Sequence, residues 1–318
     1  MPRKIQSCLV KREPRPVTDT FEAAVARLRE TISRRCAGNA RTVLIGLIGR
    51  GIQSSRTPAM HEREGGRIGL NYVYLLIDFD ALGLADADLP RLLDAVQSLG
   101  FAGLNVTHPF KQAVLNLLDR LSPEAAAIGA VNTVVFENGR RVGHNTDCWG
   151  FAESFREGLA GAPLGEVVQF GAGGAGAAVA HALLECGVNG LTICDKDSAR
   201  ASELAGRLSE RFSREVIGVE DASLALGRAD GLVNATPIGM AKYPGIPFPA
   251  YLLSRQHWVA EIIYFPADTE LLERARALGC RTLAGTGMAV YQAVKAFELF
   301  TGIAPDRMAM AGHFQAAA

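Results

Sequence analysis

Phe21, Val25, Leu28 and Ile32 recur at three- and four-residue intervals between charged positions, the apolar stripe of an amphipathic helix. Asp19 and Glu22 stand where an N-cap and its partner belong. The stripe runs to about Arg35, and its apolar face suits either a domain or a subunit contact. From Thr42 the period changes. Short apolar runs at 42–48, 72–77, 103–106 and 130–136 read as strands, with helical spacing at 91–99 and 110–121. A second series follows, with strand 167–170, helix 175–186, strand 191–195, helix 198–212 and strands 231–235 and 258–264. A last helix, 288–300, is closed by Gly302.

Strand–helix alternation of this kind predicts parallel sheets covered by helices, here in two units. The expected fold class is α/β with two domains, an N-terminal α/β domain and a C-terminal doubly wound parallel sheet. A length of 318 residues gives each enough chain for its own core. Gly150, Gly158, Gly161 and Pro163 put the boundary near 150–160, and residues 1–41 form an extension.

Charge narrows the partners. Lys+Arg and Asp+Glu both total 33, so no net positive field draws in nucleic acid, and a small molecule is the expected partner. No apolar run reaches the roughly 18–20 residues that span a bilayer. The basic N-terminus lacks the apolar centre of a secretory signal, so a cytoplasmic protein with no membrane partner is expected. Cys8, Cys36, Cys148, Cys186, Cys194 and Cys280 form no C-x-x-C pair and no metal-ligand spacing with histidines. Reduced thiols and no metal are the expectation.

Residues 166–176 read E-V-V-Q-F-G-A-G-G-A-G, an apolar strand running through G-x-G-x-x-G into a helix. Gly171 permits the tight turn, Gly173 the approach of backbone to a pyrophosphate, and Gly176 the packing of helix on strand. Gly174 and Ala175 open the helix, whose N-terminal N–H groups and dipole favour phosphate. The second strand ends at Asp195, a carboxylate suited to ribose hydroxyls and repulsive to a 2′-phosphate. NAD is therefore expected over NADP, although Lys196 and Arg200 lie close in sequence. Asp195 as a cap for the helix near Ser198 fits either cofactor.

Five further stretches have a chemical look: G-L-I-G-R-G-I-Q-S-S-R-T-P-A-M-H (46–61), N-V-T-H-P-F-K (105–111), I-G-A-V-N-T (128–133), G-H-N-T-D-C-W-G (143–150) and N-A-T-P-I-G-M (234–240). With E-I-I-Y-F-P (261–266) and G-T-G-M-A-V-Y-Q (285–292), their order over about 42–302 strongly resembles the shikimate/quinate dehydrogenase family. The resemblance implies a substrate domain (42–150, rejoined by 288–318), a nicotinamide domain of Rossmann type (151–287) and an active site in the cleft between them. It implies that Ser55 and Thr57 hold the substrate carboxylate, that Thr107 and Asn132 contact ring hydroxyls, and that Lys111 and Asp147 form the catalytic pair. Gln292 would reach the ring and Tyr264 line the cleft, while Asn234, Ala235, Thr236 and Gly285 would lie beside the cofactor. His108 fits a substrate contact or a packed histidine equally.

Small polyhydroxylated carboxylates need several neutral hydrogen-bonding groups to distinguish hydroxyl positions. Oxidising a secondary alcohol sends hydride to nicotinamide and a proton to a base. An ammonium cannot accept that proton, so oxidation by Lys111 should quicken toward alkaline pH, with Asp147 orienting the amine. Thr57 in place of the serine usual in shikimate-specific relatives, His108 and Asp195 together resemble the branch that uses NAD on quinate and shikimate. An NADP-linked biosynthetic enzyme, a dehydrogenase of an aminated shikimate and a non-catalytic quinate or NAD sensor stand as alternatives. A monomer or a homodimer is expected.

Overall fold

A computed structural model of the chain describes residues 20–36 and 42–316. Asp19 and Cys8, and the rest of the extension before Thr20, lie outside the described residues. Two six-stranded sheets carry the fold. The first comprises β1 (Thr42–Gly49), β2 (Asn71–Asp78), β3 (Gly103–Val106), β4 (Arg120–Leu121), β5 (Thr133–Glu137) and β6 (Arg140–His144), in the order β2-β1-β3-β5-β6-β4. β5 alone runs against its neighbours β3 and β6, because the short turn at Asn138-Gly139 makes β5–β6 a hairpin. The helix Thr20–Arg35 lays Phe21, Ala24, Val25 and Leu28 on the core of this unit beside Leu75, Leu92 and Val96, so its apolar face covers a domain.

The second sheet comprises β7 (Glu166–Phe170), β8 (Gly190–Cys194), β9 (Glu215–Val219), β10 (Gly231–Asn234), β11 (Trp258–Glu261) and β12 (Arg281–Leu283). All pairings are parallel and the order is β12-β11-β10-β7-β8-β9, so the chain moves outward from β7 in both directions. The carboxyl ends of β7 and β10 thus flank a topological switch point, the place where open α/β sheets bind nucleotides.

Two helices tie the units together. Thr146–Gly158 follows the first sheet, and Thr286–Thr301 returns from the second to bury Val290, Val294, Phe297 and Phe300 against Ile45, Tyr72 and Tyr74. Gly150 is one point of contact between them: a Cβ there would stand 2.6 Å from Gln292 N and 2.9 Å from the Met288 carbonyl oxygen. This glycine sits inside a helix at a close crossing, not in a linker.

One element departs from its sequence pattern. The spacing at 110–121 predicts a single helix, but the chain forms a turn at Phe110–Ala113, a 3-10 turn at Leu115–Leu117 and then β4. Arg120 and Leu121 pair with Val142 and Gly143 of β6, while Leu118 and Leu121 fill the space beside Gly143. Among the described residues no helix is long and apolar enough to cross a membrane.

Candidate active site

In the first sheet, the carboxyl ends of parallel β1, β3 and β6 and the start of antiparallel β5 face one edge. Ser55 and Thr57 follow β1, Thr107 follows β3, Asn132 precedes β5, and Asp147 follows β6. The loops after β1 and β3 are joined directly: the Thr107 N–H donates to the Ile48 carbonyl at 2.9 Å and the Arg50 N–H to the His108 carbonyl at 3.1 Å. A Cβ on Gly49 would lie 2.4 Å from Thr107 Cγ2, so the glycine makes room for that side chain. The helix Thr57–Arg67 has no side-chain cap, which leaves the Ser55 and Thr57 hydroxyls outside any capping role. His108 is exposed and not a packed core histidine.

Lys111 Nζ donates to Asp147 Oδ2 at 2.6 Å, with side chains 18% and 8% exposed. Asp147 is free for this because Asn145 caps the helix, its side chain accepting from the Cys148 N–H at 3.1 Å. Asn132 is buried, its Nδ2 donating to Thr146 Oγ1 at 2.9 Å and its Oδ1 accepting from the Thr146 N–H at 2.7 Å. It fixes the start of the helix that carries Asp147.

In the second sheet, Gly171 has φ of +101°, and a Cβ there would meet the Ala235 carbonyl oxygen at 2.7 Å across the switch point. A Cβ on Gly176 would lie 2.1 Å from the Gly171 carbonyl oxygen. At Gly173 a Cβ would meet nothing within 4 Å, so the loop opens there onto free space. The helix Gly174–Glu185 has no side-chain cap. An open glycine cradle at an uncapped helix N-terminus suits a pyrophosphate, and these residues fit a dinucleotide.

Asp195 Oδ2 accepts from the Ala172 N–H at 2.7 Å and Oδ1 from the Asp197 N–H at 3.0 Å. Each oxygen retains a further lone pair for a ribose hydroxyl. Asp197, not Asp195, caps the helix Ser198–Phe212. Arg200 pairs with Asp197 at 3.2 Å.

The two edges meet at Lys111. A Cβ on Gly174 would stand 3.3 Å from Lys111 Cβ and 3.6 Å from its Cδ, so the lysine stem lies on the first turn of the glycine-loop helix. Gln292, at the Gly150 crossing, donates from Nε2 to the Ala289 carbonyl at 3.0 Å. Tyr264, 38% exposed, sets its ring edge-on to Phe314 at 5.9 Å, the ring that Arg56 covers from the other loop. Gly285 lets the chain cross tightly beneath it, since a Cβ would lie 2.4 Å from the Ile263 carbonyl oxygen.

A hydroxyl-lined edge with an amine–carboxylate pair, set against a dinucleotide loop, is equipped to move a proton beside a nicotinamide. Comparison with known proteins gives the family. Residues 47–134 match the family described as "Shikimate dehydrogenase substrate binding domain", and residues 285–311 match "Shikimate 5'-dehydrogenase C-terminal domain". The shikimate dehydrogenase (NADP(+)) of Streptomyces avermitilis is 57% identical over 270 residues, covering 84% of this chain and 93% of the relative. The chain belongs to the shikimate/quinate dehydrogenase family. The quinate/shikimate dehydrogenase (NAD(+)) of Corynebacterium glutamicum strain R is 52% identical over 269 residues, 83% of this chain and 95% of the relative. The solved quinate dehydrogenase from Corynebacterium glutamicum in complex with NAD superimposes with a TM-score of 0.81 at 50% identity, covering 87% and 99% of the two chains. The protein is therefore an oxidoreductase of two-domain α/β architecture that uses a pyridine nucleotide.

Within this dehydrogenase site, three supports escaped the sequence reading. Asp78, 2% exposed, accepts from the Gly51 and Ile52 N–H groups at 3.1 and 3.0 Å and from Gln53 Nε2 at 3.0 Å, shaping the loop that carries Ser55. Burial pushes its pKa up, but these donors and the Asp80 N–H outweigh that and hold it below the usual range. Glu261, 1% exposed, accepts from Asn234 Nδ2 at 3.0 Å, Thr269 Oγ1 at 3.2 Å and the Ile262 and Ile263 N–H groups. Asn234 is itself fully buried, and its Oδ1 accepts from the Thr236 N–H and hydroxyl. Asn234 thus braces the loop of Ala235 and Thr236 from inside. Arg56 lies over the rings of Phe265 and Phe314 at 5.7 and 5.6 Å, joining the Ser55 loop to the Tyr264 loop. A carboxylate at a strand end was the one available signal for Asp78 and Glu261.

Proposed function

We propose that the protein catalyses the NAD-dependent reversible oxidation of quinate to 3-dehydroquinate and of shikimate to 3-dehydroshikimate. The observation that carries this reading is the Lys111–Asp147 pair, held at 2.6 Å with the lysine stem against Gly174. Residues 42–150, with the returning 288–318, hold the substrate, and 151–287 hold the cofactor. Ser55 and Thr57 bind the substrate carboxylate, Thr107 and Asn132 select ring hydroxyls, Gln292 reaches the ring and Tyr264 lines the cleft. The bound nicotinamide supplies the hydride acceptor. Lys111 Nζ takes the proton of the reacting hydroxyl during oxidation and returns it during reduction, while Asp147 fixes the amine and offsets its charge.

Asp195 supports NAD over NADP. Its carboxylate stands at the end of β8 beside the Ala172 N–H, and Arg200, the nearby guanidinium, is engaged by Asp197. Relatives named for each cofactor exceed 50% identity, so the experiment is direct. Initial rates of nicotinamide reduction are measured at alkaline pH for quinate and shikimate, each with NAD and with NADP. Turnover of both substrates with NAD, at least tenfold above NADP in kcat/KM, is expected. Preference for shikimate with NADP would overturn the cofactor reading and favour the biosynthetic reaction.

A further inference from the structure

Cys148 and His181 are 33 positions apart, and no local motif joins them. The fold brings them together where the helix Thr146–Gly158 packs on the helix Gly174–Glu185. His181 and Glu185 are four residues apart on the second helix and so share a face. Their donor atoms and Cys148 Sγ all lie within 4.8 Å of one another. Cys148 Sγ is 3.7 Å from Glu185 Oε2, and His181 Nε2 is 3.2 Å from Glu185 Oε1. Bond lengths of about 2.0–2.3 Å at tetrahedral angles separate ligand atoms by roughly 3.3–3.8 Å, close to these two spacings.

The histidine itself asks for a ligand. His181 is fully buried; its Nδ1 has no hydrogen-bond partner, and its Nε2 faces the Glu185 carboxylate alone at 3.2 Å. His61, His144 and His313 each leave one buried ring nitrogen unpaired, but among the described residues only His181 stands beside a cysteine and a carboxylate. Phe212 meets the ring edge-on at 4.9 Å and walls it from solvent. Glu185 keeps 38% of its side chain exposed, which provides the way in.

We propose that Cys148, His181 and Glu185 form a binding site for a thiophilic divalent cation of the zinc class, with water in the fourth position. Sulfur, imidazole and carboxylate donors suit such a borderline ion and not magnesium or calcium. Binding exchanges the thiol proton for the metal, the proton leaving to solvent. A dipositive ion with one thiolate, one carboxylate and a neutral imidazole leaves the site uncharged, as an apolar helix interface requires. The ion pins the residue after Asp147 to the helix that begins at Gly174, so it clamps the two halves of the active site without touching the substrate.

The test is a titration of the full chain, freed of metal by a chelator and exchanged into chelator-free buffer, with Co²⁺ followed by absorption. One equivalent should bind with tetrahedral visible bands and a thiolate-to-cobalt charge-transfer band, and Zn²⁺ should displace it. Cys148→Ser should abolish the charge-transfer band and weaken binding more than about 100-fold, beyond the effect of losing an outer partner. Glu185→Gln, at the exposed rim, should weaken binding at least tenfold without loss of fold, judged by circular dichroism. Cys186→Ser, beside the site, should change nothing. Absence of cobalt binding, a charge-transfer band that survives Cys148→Ser, or parental affinity in Glu185→Gln would each overturn the proposal. Should Cys148→Ser fail to fold, Glu185→Gln alone decides.

Discussion

In the proposed reaction Lys111 carries the chemistry, and three other residues remove its alternatives. Asn145 takes the cap that would otherwise claim Asp147, Gly174 admits the lysine stem, and Asp147 fixes its end at 2.6 Å. Replacing Lys111 with Met keeps the stem against Gly174 but removes the group that exchanges the proton. kcat should fall by about 10²–10⁴-fold, the usual scale for a positioned acid–base. KM for quinate should move far less, since the carboxylate and hydroxyl contacts remain. Steady-state rates across pH for the parent and Lys111→Met check this, and a KM defect with unchanged kcat would assign Lys111 to binding alone. The types and spacing of Lys111 and Asp147 were visible in the sequence, but the cap that frees Asp147 was not: N-T-D offers three capping candidates, and only the folded turn selects Asn145.

Element by element, the strand–helix alternation was legible because apolar period survives without tertiary context, as in 42–48 and 167–170. The segment 110–121 was not. Phe110, Val114, Leu117, Leu118 and Leu121 fit a helical stripe, and the competing choice, pairing beside β6, depends on residues 22 positions later. Glycine shows the same limit. Gly150 and Gly206 both interrupt helices, and their sequences do not say which is needed. A Cβ at Gly206 would meet nothing within 4 Å, so Gly206→Ala should stabilise the helix Ser198–Phe212 by about 0.5–1 kcal/mol. At Gly150 the same methyl would strike Gln292 N and the Met288 carbonyl, backbone atoms that cannot swing aside. The helices must part, and overpacking of this kind costs about 1–3 kcal/mol. Urea unfolding of the two variants should therefore move in opposite directions. Gly150→Ala should also raise KM, because Gln292 moves with its helix; equal stabilisation by both substitutions would deny the close crossing.

For the molecule as a whole, balanced charge removes global repulsion as the source of pH dependence near neutrality, so individual buried groups set the profile. Two act in opposite senses. Burial drives His61 from 6.5 to about 3, so the unfolded chain binds the extra proton and stability is lost as pH falls through that window. Burial raises Glu261 from 4.5 to about 7 against the pull of its four donors. Here the native state holds the extra proton, so stability present below pH 4.5 is lost as pH rises through 7. The shift corresponds to about 3 kcal/mol at most. Because the His61 and Glu261 windows overlap, the parent profile alone cannot separate them, whereas its difference from Glu261→Gln can. An amide cannot ionise, so the stability of the parent minus that of the variant should decline by up to about 3 kcal/mol between pH 4.5 and 7 and level off above. Denaturant unfolding at a series of pH values measures it. Parallel profiles would mean that Glu261 stays ionised on its four donors throughout, and that the brace between β10 and β11 does not respond to pH.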